Sequence, residues 1–375
     1  MDRPKVKYAA ARLPTDKIIL GAYQWGIGVE LADDTRGTVW RLIQLMDGTR
    51  GRDAIVADLL AERPDVEPAS IGQAIDSLIA AGFVEDAGAP APAELEPDEL
   101  ERYERNRRYF AWVDRTPRRS PWELQRRLKR SRVCVLGLGG AGSTVAASLA
   151  ALGIGGLTCA DFDTVGLSNL NRATFYIEQD VGRPKVDIAV SRLRAANRHV
   201  DVRGVTVKVT GPADIEPLME SHDLLVLCAD TPQPDIKFWV NEAAMRTGTP
   251  WQLCLYAGPM LLSGVFVPYE TACWACIPGA DGGFLHVDSF EPLSEEPNNA
   301  VIAPSAGMTG HFGALQAAYF LMGMRPQSVG RVFHQSLTRI DHVYFVEPLV
   351  DEACDVCGRR AGETKPRADA TAAAG

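Results

Sequence analysis

The chain has 375 residues, a formal net charge of −9 and 46% hydrophobic residues. This allows one large core, or one core plus a small domain, and the acidic balance argues against general nucleic-acid affinity. No run of 18 or more apolar residues occurs, so a membrane-spanning helix is not expected, and the N-terminus, MDRPKVKYAAARLP, lacks the apolar stretch of a signal peptide. The chain reads as cytoplasmic, where its eight cysteines stay reduced and paired cysteines serve metal binding.

In chain order, 17–23 (KIILGAY) and 28–31 read as short strands. Val39, Leu42, Ile43 and Met46 recur at helical spacing, and Asp47-Gly48 supplies a stop. A second helix covers 52–62. A third has Ile71, Ile75, Leu78 and Ile79 as its apolar face, Ser70 as its cap and Gly82 as its end, before an extended FVED. These elements predict a small winged-helix-like domain over 1–86. The stretch DAGAPAPAELEP that follows is rich in alanine, proline and acid, which is linker chemistry, and the linker is placed at 87–100.

DNA binding is the usual role of a winged helix, and here the charges oppose it. Between Asp53 and Asp86 eight acids face one base, Arg63; a helix that meets phosphates shows the opposite balance. The strand pair, LMDGTR at 45–50 and LIAAGFVED at 78–86 are similar to the PqqD-like leader-peptide recognition domains of peptide-modifying enzymes. That resemblance, over about residues 5–86, implies a precursor peptide added as a strand to an exposed sheet edge. A small packing domain without a ligand is the competing reading.

Residues 102–132 form a dense basic stretch, including RYERNRRYF and RRLKR, which reads as a solvated helix face. From 131 onward strands and helices alternate. Strands are expected at 132–138, 157–161, 200–209, 223–230, 251–256 and 261–268. Helices are expected around Val145, Leu149 and Leu152, at about 184–197, and at 235–247. This predicts an α/β fold with a largely parallel, Rossmann-like sheet over 101–360, and a frayed tail at 361–375.

Gly137-Leu138-Gly139-Gly140-Ala141-Gly142 lies between the first of these strands and its helix. Glycines there let the backbone turn sharply and approach phosphates at the positive helix end. Asp161 follows Gly142 by 19 residues, where a ribose hydroxyl is normally held. Alone, this pattern fits NAD as well as ATP. Its continuation, DFDTVGLSNLNR, separates them. Beyond the ribose acid, a dinucleotide enzyme has no need of Ser168-Asn169-Leu170-Asn171-Arg172. An enzyme that cleaves ATP between its α- and β-phosphates needs an arginine, a lysine and amide side chains around the developing charge. Lys185 in GRPKVD opens the next helix, and Asp230 ends the strand DLLVLCAD at the carboxyl edge of the sheet, where it can hold magnesium. Cys273-Trp274-Ala275-Cys276 and Cys354-Asp355-Val356-Cys357 are two CxxC pairs, and two such turns complete a tetrahedral zinc site; redox motifs are the alternative. Cys134, Cys159, Cys228 and Cys254 fall in apolar strands and read as core residues.

GLGGAG, DFDTVGLSNLNR, GRPK, CADT and the two CxxC pairs, in this order from Arg102 to about Gly358, resemble the ubiquitin-activating-enzyme-like adenylyltransferases of the ThiF and MoeB family. The resemblance implies that Gly137, Gly139, Gly140 and Gly142 cradle ATP. Asp161 holds the ribose, with Asp163 and Asn171 among the nucleotide-binding residues. Asn169, Arg172 and Lys185 contact the phosphates, and Asp230 binds magnesium. It also implies a homodimer in which Arg105, within RYERN, enters the partner's site. Members that form a thioester or persulfide carry a cysteine between the first CxxC and the late helix, and the loop at 277–307 has none. A covalent relay is therefore not expected, as in the microcin- and pantocin-type adenylyltransferases. His286 in that loop reads as a surface histidine rather than a base.

The expected function is activation of a carboxylate of a ribosomally made precursor peptide as an acyl-adenylate, without nucleic-acid or membrane partners. Two competitors remain open: activation of a ubiquitin-like sulfur carrier ending in Gly-Gly, and a non-catalytic scaffold that presents leader peptides to a cyclodehydratase. A nicotinamide oxidoreductase is the remaining alternative.

Overall fold

The computed structural model describes residues 1–21, 28–118, 120–277, 300–348, 351 and 353–358. The chain divides into two units, Met1–Arg127 and Leu128–Gly375.

In the first unit, strands β1 (Pro4–Val6), β2 (Ala10–Leu13), β3 (Lys17–Leu20) and β4 (Val29–Ala32) precede helices α1 (Thr38–Leu45), α2 (Arg52–Glu62) and α3 (Pro68–Ala80), and β5 (Val84–Asp86) closes the set. β2, β3 and β4 form an antiparallel sheet in that order, and β5 returns to pair with β1. Apolar residues three and four apart put Leu42, Leu45, Ile55, Leu59, Ile71 and Ile75 on inward faces, where they close over Ile18 and Leu20 of β3. The Asp86 carboxylate accepts the backbone N–H groups of Asp2 at 2.8 Å and Arg3 at 2.9 Å, which fixes the start of the chain beside β5.

Two sequence expectations change here. Helix α3 begins earlier than a Ser70 cap implies: Glu67 is the N-cap and Pro68 the first helical residue, because proline's fixed φ suits that position and its missing N–H needs no partner there. The acids counted between Asp53 and Asp86 are also not a bare negative face. Asp58, Glu62, Asp65 and Asp76 pair with Arg50, Arg41, Arg36 and Arg52, bases that lie just ahead of the counted stretch. The stop at Gly82 is steric: its φ is 75°, and a Cβ there would fall 1.8 Å from the Arg115 carbonyl oxygen. Helix α4 (Pro97–Arg102) starts inside the stretch read as linker, α5 (Glu104–Val113) follows, and α6 (Glu123–Arg130) runs from the first unit into the second.

The second unit is α/β, with a large, mostly parallel central sheet. Its elements are β6 (Arg132–Leu136), α7 (Gly140–Leu152), β7 (Gly156–Asp161), α8 (Lys185–Ala196), β8 (Asp201–Thr206), α9 (Glu216–Glu220), β9 (Leu224–Leu227), α10 (Asp235–Thr247), β10 (Trp251–Ala257), β11 (Met260–Phe266), α11 (Ala303–Leu321), β12 (Val332–Ser336) and β13 (Val343–Val346). The strand order is β13-β12-β11-β10-β9-β6-β7-β8. The pairs from β10 through β8 are parallel, and those from β10 out to β13 are antiparallel. Alternation along β10 shows the layering. Trp251 and Leu253 pack with Ile236, Val240 and Ala243 of α10. Gln252 and Cys254 face the other way and hydrogen-bond the α11 carbonyls of Gly313 at 3.0 Å and Thr309 at 3.4 Å.

Helices α7 and α11 approach closely through glycine. A Cβ at Gly310 would fall 2.5 Å from the Thr144 Cβ and 2.6 Å from the Ala141 oxygen. Gly310→Val is expected to lower stability toward the upper end of the about 1–3 kcal/mol typical of overpacking, read as a lower urea midpoint; an unchanged midpoint would show that the two helices do not meet this tightly.

Candidate active site

The order of the sheet reverses at β6, which has β7 on one side and β9 on the other. Crossovers leaving to opposite faces open a crevice outside the carboxyl ends of such strands. A cavity of about 550 Å³ occupies that place, with Leu136, Asp161, Cys228 and Leu255 of β6, β7, β9 and β10 or just beyond them at its wall.

Glycine shapes its floor. Gly137 turns the chain with φ 93°, so β6 ends before the expected 138, and a Cβ there would fall 2.5 Å from the Ala229 nitrogen. A Cβ at Gly142 would meet the Gly137 oxygen at 1.8 Å, and one at Gly140 the Ala306 Cβ at 2.8 Å. Gly139, by contrast, faces open space. It is the N-cap of α7, so the unpaired N–H groups and positive end of that helix meet the cavity.

Asp161 is buried, and its carboxylate accepts the N–H of Leu138 at 2.6 Å and of Asp163 at 2.9 Å. The Tyr176 hydroxyl donates to the Leu138 carbonyl at 2.8 Å, pinning the same loop from the other side. The Lys185 ammonium donates to the Asp163 carboxylate at 2.9 Å and lies 4.0 Å from Asp161. Lys185 itself is buried while Asp163 is about half exposed, so the ammonium sits at the cavity wall with one solvated counter-ion.

Also lining the cavity, Arg172 donates to the Ser168 carbonyl at 2.9 Å and to the Asn171 side chain at 3.0 Å. Asn169 turns its side-chain oxygen back onto the Gly166 N–H at 3.1 Å. Tyr256, near the end of β10, lines the cavity with Arg172 and Asp230. Burial raises the pKa of its hydroxyl, the adjoining Arg172 guanidinium opposes this, and the charge of Asp230 adds to it. Asp230 stands three residues past β9 rather than at its end. Val207, Val209, Ile236 and Trp239 supply an apolar portion of the lining. An apolar slot, cations and a helix N-terminus together suit a nucleotide with a polyanionic tail.

Of the residues singled out in the sequence, the cavity gathers Gly137, Gly139, Gly140, Asp161, Asp163, Asn169, Arg172, Lys185 and Asp230. Gly142 lies behind the loop as packing, and the Asn171 amide donates to the Val301 carbonyl at 3.1 Å instead of lining the cavity. Arg105 is exposed on α5 in the first unit. His286 and most of the loop around it lie outside the described residues. Cys134, Cys159 and Cys254 are buried core residues, whereas Cys228 borders the cavity.

The two CxxC turns meet. The Cys273 sulfur lies 3.9 Å from Cys276 and 3.8 Å from Cys354, and Cys276 lies 3.4 Å from Cys357; all four are within 4.8 Å of one another. Tetrahedral zinc with bonds of about 2.3 Å holds its sulfurs about 3.8 Å apart, so the cluster is compatible with zinc.

The model of the ThiF family matches residues 113–356. The chain belongs to the ThiF family. It is accordingly an ATP-dependent adenylyltransferase. The molybdopterin-synthase adenylyltransferase of Escherichia coli strain K12 is 29% identical over 279 residues, which cover 71% of this chain and 100% of that protein. The sulfur carrier protein ThiS adenylyltransferase of the same strain is 29% identical over 204 residues, covering 53% and 76%. Among solved structures, E. coli MccB with MccA-N7isoASN aligns with a TM-score of 0.76 at 20% identity, over 96% of this chain and 100% of that one. PaaA aligns with a TM-score of 0.68 at 25% identity, over 91% and 98%. No described helix is long and apolar enough to cross a membrane.

Tyr256 was absent from the sequence-derived set, although it closes a strand expected to end at the carboxyl edge of the sheet. Tyr256→Phe removes its hydroxyl from Arg172 and is expected to lower kcat for ATP–pyrophosphate exchange about tenfold with little change in KM for ATP. An unchanged kcat would show that Arg172 is held without it.

Proposed function

We propose that this ThiF-family chain activates a carboxylate of a ribosomally made precursor peptide as its acyl-adenylate. A carboxylate oxygen bonds to the α-phosphorus, the bond to the β-phosphate oxygen breaks, and pyrophosphate leaves. The observation that carries the reading is coverage. The family model begins at residue 113, yet MccB, solved with ATP and with N-formylated MccA, matches 96% of the chain. The likeness therefore includes most of the first unit, which has a three-stranded antiparallel sheet to which an extended peptide can add. In this reading the first unit, a PqqD-like module, holds the leader segment.

Within the cavity, Gly139 and the α7 N-terminus receive phosphate oxygens and Asp161 receives the ribose. Asn169, Arg172 and Lys185 neutralise charge on the phosphates. Asp230 holds magnesium, which when bound screens the triphosphate. Arg105 of a second copy joins the site, so the working form is a homodimer. The four cysteines hold a structural zinc ion that ties the C-terminal segment to β11's end. The loop at 277–307 has no cysteine, so the nucleophile that meets the mixed anhydride comes from the substrate or a co-substrate. A scaffold without ATP chemistry has no physical need for Arg172, Lys185 and Asp230 lining one cavity.

The curated relatives named for the sulfur carrier ThiS favour the second reading, activation of a Gly-Gly carrier. Candidate precursor peptides and a Gly-Gly carrier, each incubated with the protein and Mg-ATP, separate the two by AMP, pyrophosphate and product mass. Peptide-dependent AMP is expected, falling about 100-fold or more in Lys185→Ala and strongly in Arg105→Ala. AMP formed with the carrier alone would replace this reading with the second. An Arg105→Ala variant with full activity would remove that residue from the site.

A further inference from the structure

Asn241 lies in the middle of α10 with only 2% of its surface exposed. An amide is a poor choice for a buried helix position, where an apolar side chain packs without needing partners. Its Oδ1 accepts the backbone N–H of Trp274 at 2.9 Å, inside the first CxxC turn. Its Nδ2 is buried and has no hydrogen-bond partner among the described residues, and the N–H that its Oδ1 holds belongs to Trp274, the residue directly after Cys273. A thiol is a weak acceptor and a thiolate a strong one, so this amide is matched to Cys273 as a metal ligand.

The rest of the helix face agrees. Lys237, Asn241 and Met245 are spaced by four and form one stripe. The Lys237 ammonium lies 5.6 Å over the Trp274 ring, and Met245 packs with Cys273 and Cys354. All three residues of the stripe touch the four-cysteine centre or its turn. Two others, Ile236 and Trp239, line the nucleotide cavity.

We propose that Asn241 is a positioning residue of the four-cysteine centre, donating Nδ2–H to the Cys273 thiolate while its Oδ1 holds the turn that presents it. The inference rests on the reading of the four cysteines as a zinc site. Ligands to zinc are commonly oriented by such outer partners, whose loss costs about 10–100-fold in metal affinity. Asn241 also makes α10 the element common to the metal centre and the nucleotide cavity.

The test uses the full-length protein and two variants. Asn241→Asp keeps the acceptor for the Trp274 N–H, removes the donor and sets a carboxylate against the thiolate. Asn241→Leu has similar volume and removes both functions. Competition with a chromophoric chelator is expected to show zinc affinity 10–100-fold lower in Asn241→Asp, and lower again than in Asn241→Leu if repulsion dominates. Cobalt substitution reads the contact directly. Without the N–H···S bond, Cys273 becomes a stronger donor, and the sulfur-to-cobalt charge-transfer band of Asn241→Leu moves to lower energy. A packing defect alone leaves the band of the loaded protein where it is. Zinc affinity within twofold of wild type together with an unmoved band in both variants would overturn the proposal. Wild-type protein that takes up neither zinc nor cobalt would overturn the zinc reading itself and the proposal with it.

Discussion

The carboxylate of Asp161 organises the second unit's active end. One oxygen takes the Leu138 N–H and the other the Asp163 N–H, so a single buried anion ties the loop after β6 to the turn after β7. That loop carries the α7 N-terminus, and the turn carries Asp163, to which the Lys185 ammonium is hydrogen-bonded. Buried carboxylates persist where their lone pairs are met, and here they are met by backbone N–H groups of the glycine-rich loop and of the turn after β7. The residue read from sequence as a ribose ligand is thus also the reason that the loop, the helix end and the lysine share one register. Each carboxylate oxygen retains acceptor capacity toward the cavity, so the two roles are compatible.

A second economy lies in α10. Its inward side packs on β9 and β10 through Ile236, Val240 and Ala243, part of it reaches the cavity, and its remaining stripe reaches the CxxC turn. A helix cannot tilt at one of these contacts without moving at the others. In such an arrangement the four-cysteine cluster, which does not line the cavity, still sets the attitude of a helix that does. The stacked and edge-on rings of Trp251, Phe266 and Trp274 stiffen the same corner.

Much of this site was legible because its chemistry is local in sequence. A glycine loop between strand and helix, a second strand closing on an acid, and a lysine opening the next helix each occupy fewer than ten residues. The sequence also marked α1 to α3, where spacing alone sets the buried face. What escaped depends on contacts made far along the chain. β1 is defined by β5, some 80 residues later. β12 alternates buried and half-buried residues, but it buries Val332, His334 and Ser336 and leaves Phe333 half-buried, so its sequence shows no apolar period of two. Asn171 and Asn169 look equivalent in the motif, yet a turn sends one to Val301 and leaves the other at the cavity; side-chain direction in a short turn has no period to read. Asn241 left a fainter signal, a polar residue among the otherwise apolar ones that α10 buries.

Cys228 bears most directly on mechanism. The sequence places it in the core, yet it lines the cavity at the end of β9, where a thiol within reach of an acyl-adenylate invites comparison with a covalent relay. Its environment opposes that role. Register continued from the paired residues of β9 and β10 sets Cys228 beside Cys254, and the hydrogen bond between them, reinforced by burial, pushes the Cys228 pKa well above its ordinary value. At neutral pH the group is therefore a thiol, and the thiolate is the nucleophile. The one sulfur that borders the cavity among the described residues is therefore a poor nucleophile. The electrostatics of that pair thus argue in the same direction as the cysteine-free sequence at 277–307.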